Sequence, residues 1–375
     1  MYAFKSSLII SLFLFIDGFI FSQSIFNIPL KTAYEKQEII TSKDFVQSFT
    51  YVKLETSPQC IVGANPRIDL TNDEIILTDR DHCFVFDKSS GSFIREIGHI
   101  GRDPEGYKTT TQAFFNRNTK MFYFLGWKND FIKYSIDGKC LGSVSIPNYN
   151  SSDLTFTPEQ YTYLNEKYIV CNLFNTNGIQ PKLLMIFDEN GKEIKSIPNR
   201  NIMKEHDISI KTKDIEFCIQ EHKLLYYEIY NDTVFHLTLD KTTPYIIWDR
   251  GKYKTAREKV VAGITPRNLL ESEKFITFSF MAIPKKRYFA LFDKSNLQLR
   301  VCEIEDGVIN DINGFMPFFP VSIQNEEMIE LIQPVDILKW FEKNSKSKII
   351  SSDLRKFATI DLTENPIVVF AKLYK

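Results

Sequence analysis

The chain predicts an all-β fold, a six-bladed β-propeller with a short helical insertion near its C-terminus. Asp87, Asp137, Asp188, Asp240 and Asp293 recur at separations of 50, 51, 52 and 53 residues. Each ends a short apolar stretch: Cys83–Phe86, Phe131–Ile136, Leu183–Phe187, Val234–Leu239 and Tyr288–Phe292. Each also opens a turn-like stretch, among them DKSSGS, DGK and DENGK. A repeat of about 50 residues built from β-hairpins is the pattern of a propeller. Composition agrees, because 14% of residues are aromatic, and aromatic side chains suit the pleated faces of strands.

Residues 1–24 differ from all that follows. Lys5 is the only charge before an apolar run from Leu8 to Ile16, and Ser22, Gln23 and Ser24 come next. This pattern predicts a secretory signal peptide cut between Ser22 and Ile25. Asp17 and Gly18 break the run, leaving it short of the roughly 20 residues that span a bilayer. Residues 25–48 form a lead-in, and residues 49–375 the propeller.

Within the propeller, Glu74–Thr78, Cys83–Phe86 and Phe93–Ile97 form the first meander, turned at Asp79–His82 and at Gly91. Lys120–Leu125, Phe131–Ile136 and Cys140–Ile146 form the second, with Asp137-Gly138 as its hairpin dipeptide. Tyr168–Phe174, Leu183–Phe187 and Glu193–Ile197 form the third, around Asn190-Gly191. Lys223–Ile229, Thr233–Thr238 and Tyr245–Trp248 form the fourth. Phe275–Met281, Tyr288–Phe292 and Leu297–Ile304 form the fifth. Strand patterns at Phe49–Leu54 and Ile367–Leu373 place both chain ends in a shared sixth blade, which removes the free edges of an open ring. Before the last strand, Glu326–Ile332 and Val335–Lys343 read as helical, an insertion at about 326–345. Val335, Leu338 and Phe341 are spaced for one face of the second segment, with Ile337 and Trp340 alongside.

Several segments together resemble a known family, the exported six-bladed propellers common in Bacteroidetes-type bacteria, distant relatives of NHL-repeat propellers. They are Tyr51–Thr56, Phe84–Asp87 with Phe93–Gly98, the loop Gly98–Tyr107, Tyr230–Phe235 and Asn365–Phe370. The likeness covers roughly Phe49 to Lys375. Similar members often carry Gly-Pro-Gly-Glu-Tyr where this chain has Asp103-Pro104-Glu105-Gly106-Tyr107. The resemblance implies the fold, export to the periplasm or cell surface, and a binding role. It transfers no catalytic residue.

The residues exclude several chemistries and leave two function classes. With 46 basic and 47 acidic residues the net charge is −1, which gives no pull toward nucleic acid. Six cysteines lack metal-type spacing, and apolar neighbours mark several as small core residues. Neither HExxH nor a Gly-x-Ser-x-Gly elbow is present, so no catalytic residue, metal ligand or cofactor site is assigned. Asp79-Arg80-Asp81-His82 reads as a hairpin turn with local ion pairs, and the five periodic aspartates as turn caps. Phe315, Phe318 and Phe319 read as packing between blades or beneath the insertion. Candidate ligand contacts are Arg102, Glu105 and Tyr107 in the glycine-rich connection, with Trp127 in the turn Gly126–Asp130. The leading expectation is a non-catalytic scaffold for a protein, peptide or glycan, with no membrane span after signal cleavage. The alternative is a propeller lyase or hydrolase with its site at the central channel.

Overall fold

The computed structural model describes residues 25–147, 158–174, 180–200, 202, 215–220, 223–228, 231–254, 263–282, 286–344 and 350–375. The signal-peptide segment therefore lies outside the described residues, as do His206, His222 and Tyr230.

Six four-stranded antiparallel sheets follow one another along the chain. Blade 1 comprises Arg67–Leu70, Glu74–Thr78, Cys83–Asp87 and Phe93–Glu96. Blade 2 comprises Thr109–Asn116, Met121–Leu125, Asp130–Ser135 and Cys140–Ser145. Blade 3 comprises Pro158–Tyr163, Tyr168–Leu173, Lys182–Asp188 and Glu193–Pro198. Blade 4 comprises Ile215–Gln220, Lys223–Glu228, Thr233–Leu237 and Thr242–Trp248. Blade 5 comprises Thr265–Glu271, Phe275–Ala282, Lys286–Asp293 and Gln298–Glu303. Blade 6 takes Ser322–Gln324, Glu327–Ile332 and Ile367–Leu373, and borrows its outermost strand, Val46–Lys53, from the start of the chain.

That borrowed strand closes the ring. Val368 lies opposite Val52 and Phe370 opposite Thr50 in an antiparallel ladder. First strands of neighbouring blades touch one another, which places them at the axis. Gly91, at φ +75°, brings the blade 1 turn against the closing strand, where its carbonyl accepts from the Glu55 amide at 2.8 Å. A side chain there would collide with the Lys53 carbonyl.

Six apolar clusters fill the six interfaces between blades. Alternation along each strand builds them. In blade 1, Ile75, Leu77, Phe84 and Phe86 face blade 6, while Ile76, Cys83 and Val85 face blade 2. Both faces of each sheet are buried, which is why the middle strands read as unbroken apolar runs. Burying one such Phe contributes roughly 1.5–3 kcal/mol, so the aromatic content goes directly into blade-to-blade adhesion.

Two readings are corrected here. Glu326–Ile332 is not helical; Glu327–Ile332 is the second strand of blade 6. Asn325 and Glu326, at φ +51° and +61°, make the tight hairpin turn before it, and Met328 and Ile332 face blade 5 while Ile329 and Leu331 face blade 1. The helix does form at Pro334–Asn344, with Ile337 and Phe341 buried and Leu338 and Trp340 packed beside them, but Val335 is exposed. Each blade also has an innermost strand beyond those expected, three in each of blades 1 to 5 and two in blade 6.

The lead-in runs along the outside of the ring. Phe26–Ile28 adds a parallel fifth strand to blade 4, and Leu30–Lys36 is a helix with Leu30 and Ala33 buried. The Glu38 amide then donates to Val301 on the outer strand of blade 5 at 2.8 Å. Ile40–Thr41 pairs with Val308–Ile309. The outer edges of blades 4 and 5 are thus covered by the chain itself.

Candidate functional site

Antiparallel alternation sorts the loops onto two ends of the ring. Turns between second and third strands leave at one end together with the connections between blades. Turns between first and second, and third and fourth, strands leave at the other. The helical insertion joins the second and third strands of blade 6, so it shares the connection end with Gly98–Tyr107, Gly126–Asn129 and residues 304–321.

Of the four candidate contacts, the structure brings Arg102 and Trp127 together. The Arg102 guanidinium lies 4.6 Å from the Trp127 ring centroid and the Lys108 ammonium 5.8 Å from it. The indole N–H donates to the Gly101 carbonyl at 2.6 Å, so the turn of blade 2 pins the connection from blade 1. Trp127 remains 46% exposed. Glu105 is exposed, and its carbonyl accepts from the Tyr134 hydroxyl. Tyr107 corrects the sequence reading. It is fully buried, stacked on Phe124 at 4.3 Å, and supports the loop from below rather than facing a ligand. Nearby, His99 and Asp103 pair at 2.7 Å, and that bond holds the Asp103 carboxyl below its usual range.

The turn Asp79–His82 is a clamp. Buried Asp79 accepts from the amides of Gly63, Asp81 and His82 at 2.6, 2.9 and 2.7 Å. His82 pairs with Glu96 at the surface. Among the periodic aspartates, Asp87, Asp188 and Asp293 each accept from the amide two residues on. Phe315 and Phe318 are buried against the insertion, as packing requires.

Charged groups on the innermost strands bind one another across blades. Arg117 donates to Asp69 at 3.1 and 3.3 Å and to the Ile323 carbonyl at 3.3 Å. Arg267 likewise donates to Glu216 on the first strand of blade 4, while within single blades Arg67 donates to the other Asp69 oxygen at 3.3 Å and Asn172, on a second strand, to Glu159 at 2.8 Å. Among the described residues, no three His, Cys, Asp or Glu side chains gather closely enough to hold a metal ion.

A groove at the connection end has no counterpart in any local sequence signal. A groove of about 410 Å³ runs over blade 5, with Phe278, Phe280 and Phe289 lining it and Phe319–Val321 forming its wall. Met281 and Val321, both exposed, sit on its lips. Arg267 stands at the axial end, and exposed Arg287, paired at 3.1 Å with exposed Glu305, stands on blade 5's third strand. Apolar lining between two guanidinium groups suits a chain that carries apolar and acidic side chains together. No local signal marked it, because its walls come from segments up to 54 residues apart, Arg267 to Val321.

The sequence matches one family along residues 25–372, and the chain belongs to it: "Domain of unknown function (DUF4934)". No curated protein sequence matches the chain. Among solved structures, a "putative exported protein" from Bacteroides fragilis is similar over 94% of this chain and 100% of its own, at 15% identity and a TM-score of 0.69. A member of the DUF4221 family from Bacteroides vulgatus is similar over 90% of this chain and 98% of its own, at 11% identity and a TM-score of 0.54. At these identities the likeness establishes the fold alone.

Proposed function

We propose that this member of the DUF4934 family is an exported, non-catalytic binding propeller whose blade 5 groove receives an extended segment of a partner protein or peptide. The observation that carries this reading is the groove itself: an open apolar trough with a guanidinium at its axial end and another along its length. Further support comes from the axis, where Arg117, Asp69, Arg267 and Glu216 are engaged with one another across blades. The segment Trp127–Arg102 on the opposite side of the same end offers a second, smaller contact.

Export rests on the signal-like residues 1–24 and on the family resemblance of Gly98–Tyr107 and its companion segments, including their NHL-like and Bacteroidetes-type character. Among the described residues no helix is long and apolar enough to cross a membrane. The description of the Bacteroides fragilis neighbour points the same way.

The test is selection of displayed peptides against the mature protein and its Met281→Asp and Arg287→Glu variants. Peptides combining apolar and acidic residues are expected to be enriched, with each variant binding them about tenfold more weakly, the size of one lost charged or apolar anchor. Absence of enrichment, or binding by the variants as strong as that of the wild type, overturns the proposal.

A further inference from the structure

The end of the ring opposite the connections carries a different kind of cavity. First-to-second strand turns of blades 6, 1 and 2 meet there around a pocket of about 350 Å³, at the small end of the roughly 300–1,000 Å³ of small-molecule sites. Its lining combines polar groups, Asn72 from blade 1, Arg117 and Lys120 from blade 2, Gln324 and Asn325 from blade 6, with the apolar surface of Leu70 and Phe115.

These groups are poorly used by the fold. The Gln324 Oε1 atom is buried and accepts no hydrogen bond, a condition that costs about 1–3 kcal/mol unless a donor is supplied. The side chains of Asn72, Lys120 and Asn325 make no hydrogen bond or ion pair to any described residue. Arg117 has three of its N–H groups directed at Asp69 and the Ile323 carbonyl, which leaves two of a guanidinium's five donors. Lys120 and Arg117, the latter shared with Asp69, are the charged residues of the lining, which holds no carboxylate.

We propose that this pocket binds a hexuronic acid, a sugar ring carrying one carboxylate. Three requirements lead to that class. The spare cations Lys120 and Arg117 call for an anion. The buried Gln324 acceptor calls for a hydroxyl donor. The amides of Asn72 and Asn325 can each donate and accept, which matches a ring of hydroxyls better than a phosphate or a simple carboxylate. Phe115 supplies apolar contact for the ring's C–H face. The site is independent of the blade 5 groove, on another face and with other residues.

Ligand-observed NMR titration of the mature protein with D-glucuronate, D-galacturonate and D-glucose tests it. At least one uronate is expected to bind saturably, and glucose at least about tenfold more weakly, because a charge-assisted hydrogen bond is lost. Lys120→Met should weaken the uronate about tenfold without altering the glucose signal. Gln324→Leu, which removes the unpaired acceptor, should weaken both sugars while the circular dichroism spectrum is unchanged. The proposal is overturned by the absence of saturable uronate binding, by equal binding of glucose, or by indifference to Lys120→Met. Loss of peptide selection by the groove variants leaves this outcome unaffected, so the two sites fail separately.

Discussion

Replacing Asn365 should loosen the ring at its seam. This residue is 1% exposed and stands two positions before the C-terminal strand Ile367–Leu373. Its Nδ2 donates to the carbonyls of Glu55 and Cys60, each at 2.6 Å, and its Oδ1 accepts from the Val62 amide at 2.8 Å. Its own amide donates to the Thr56 hydroxyl at 2.9 Å. One amide side chain thereby fixes the segment that leaves the N-terminal strand of the same blade. Asn365→Ala strands the buried Cys60 carbonyl, at about 1–3 kcal/mol, and breaks two part-buried bonds at roughly 0.5–1.5 kcal/mol each. The net loss is about 3 kcal/mol after water reaches the two outer groups. Asn365→Asp keeps the acceptor for Val62 but turns a carboxylate oxygen toward two carbonyls, so at neutral pH it should cost at least as much. Equilibrium urea denaturation followed by tryptophan fluorescence measures both, with Thr363→Ala as a surface control. A loss below about 0.5 kcal/mol in Asn365→Ala, or an Asp variant as stable as wild type, refutes the seam reasoning.

Two titrating groups give opposite pH dependence. Glu330 accepts a hydrogen bond from the Phe319 backbone, but burial and nearby Asp336 raise its pKa well above the usual carboxylate value, burial being the larger cause. A raised folded pKa means the native state binds more protons, so stability falls as pH climbs above the ordinary value near 4.5. Glu330→Gln should therefore be more stable than wild type at pH 8 and equal to it at pH 4, by thermal unfolding; no difference at pH 8 rejects the account. Asp87 behaves the other way: bonds from the Ser89 hydroxyl and the Ser90 backbone lower its pKa to about 2. Its contribution is present above the ordinary 3.8 and disappears as pH falls through about 2. The stability gap between wild type and Asp87→Asn should close across that window, and a gap that persists at pH 2 counts against the turn cap.

The outer three strands of blades 1 to 5 were legible because their physics is local. Alternate residues of Glu74–Thr78 or Lys182–Asp188 are buried on both faces, which yields dense apolar runs, and the aspartate turns punctuate them. Innermost strands lack that signature. Thr109–Asn116 carries Thr, Gln and Asn near the axis and is broken by a bulge between Thr109 and Phe114. Glu327–Ile332 failed for a related reason, since apolar pairs at 328–329 and 331–332 fit a helix face as well as a two-sided strand. Only its partners, Ile367–Leu373 on one side and Ser322–Gln324 on the other, decide the matter. Arg102 and Trp127 were found because turn residues announce themselves, whereas Tyr107 looked equally exposed in sequence and is core in space.

The contrast between the two ends of the ring follows from chain geometry. First-to-second strand turns must be tight where blades converge on the axis, so they consist of small polar residues, often with positive φ, as at Lys120 and Asn325. Tight polar turns from three adjacent blades leave amide and ammonium groups crowded at one mouth with few partners. Connections at the other end must travel from the rim of one blade to the axis of the next, and that length lets residues 304–321 carry their own apolar side chains, joined there by the insertion helix Pro334–Asn344. Such segments can wall a groove but cannot close it, because the opposite wall is a sheet face whose neighbour has only the three-residue strand Ser322–Gln324 at its inner edge. A short first strand in blade 6 is therefore the structural cause of the groove. Lengthening it by replacing Phe319-Pro320-Val321 with a Thr-Val-Thr strand sequence should fill the trough and abolish peptide selection, while leaving uronate binding at the far mouth intact.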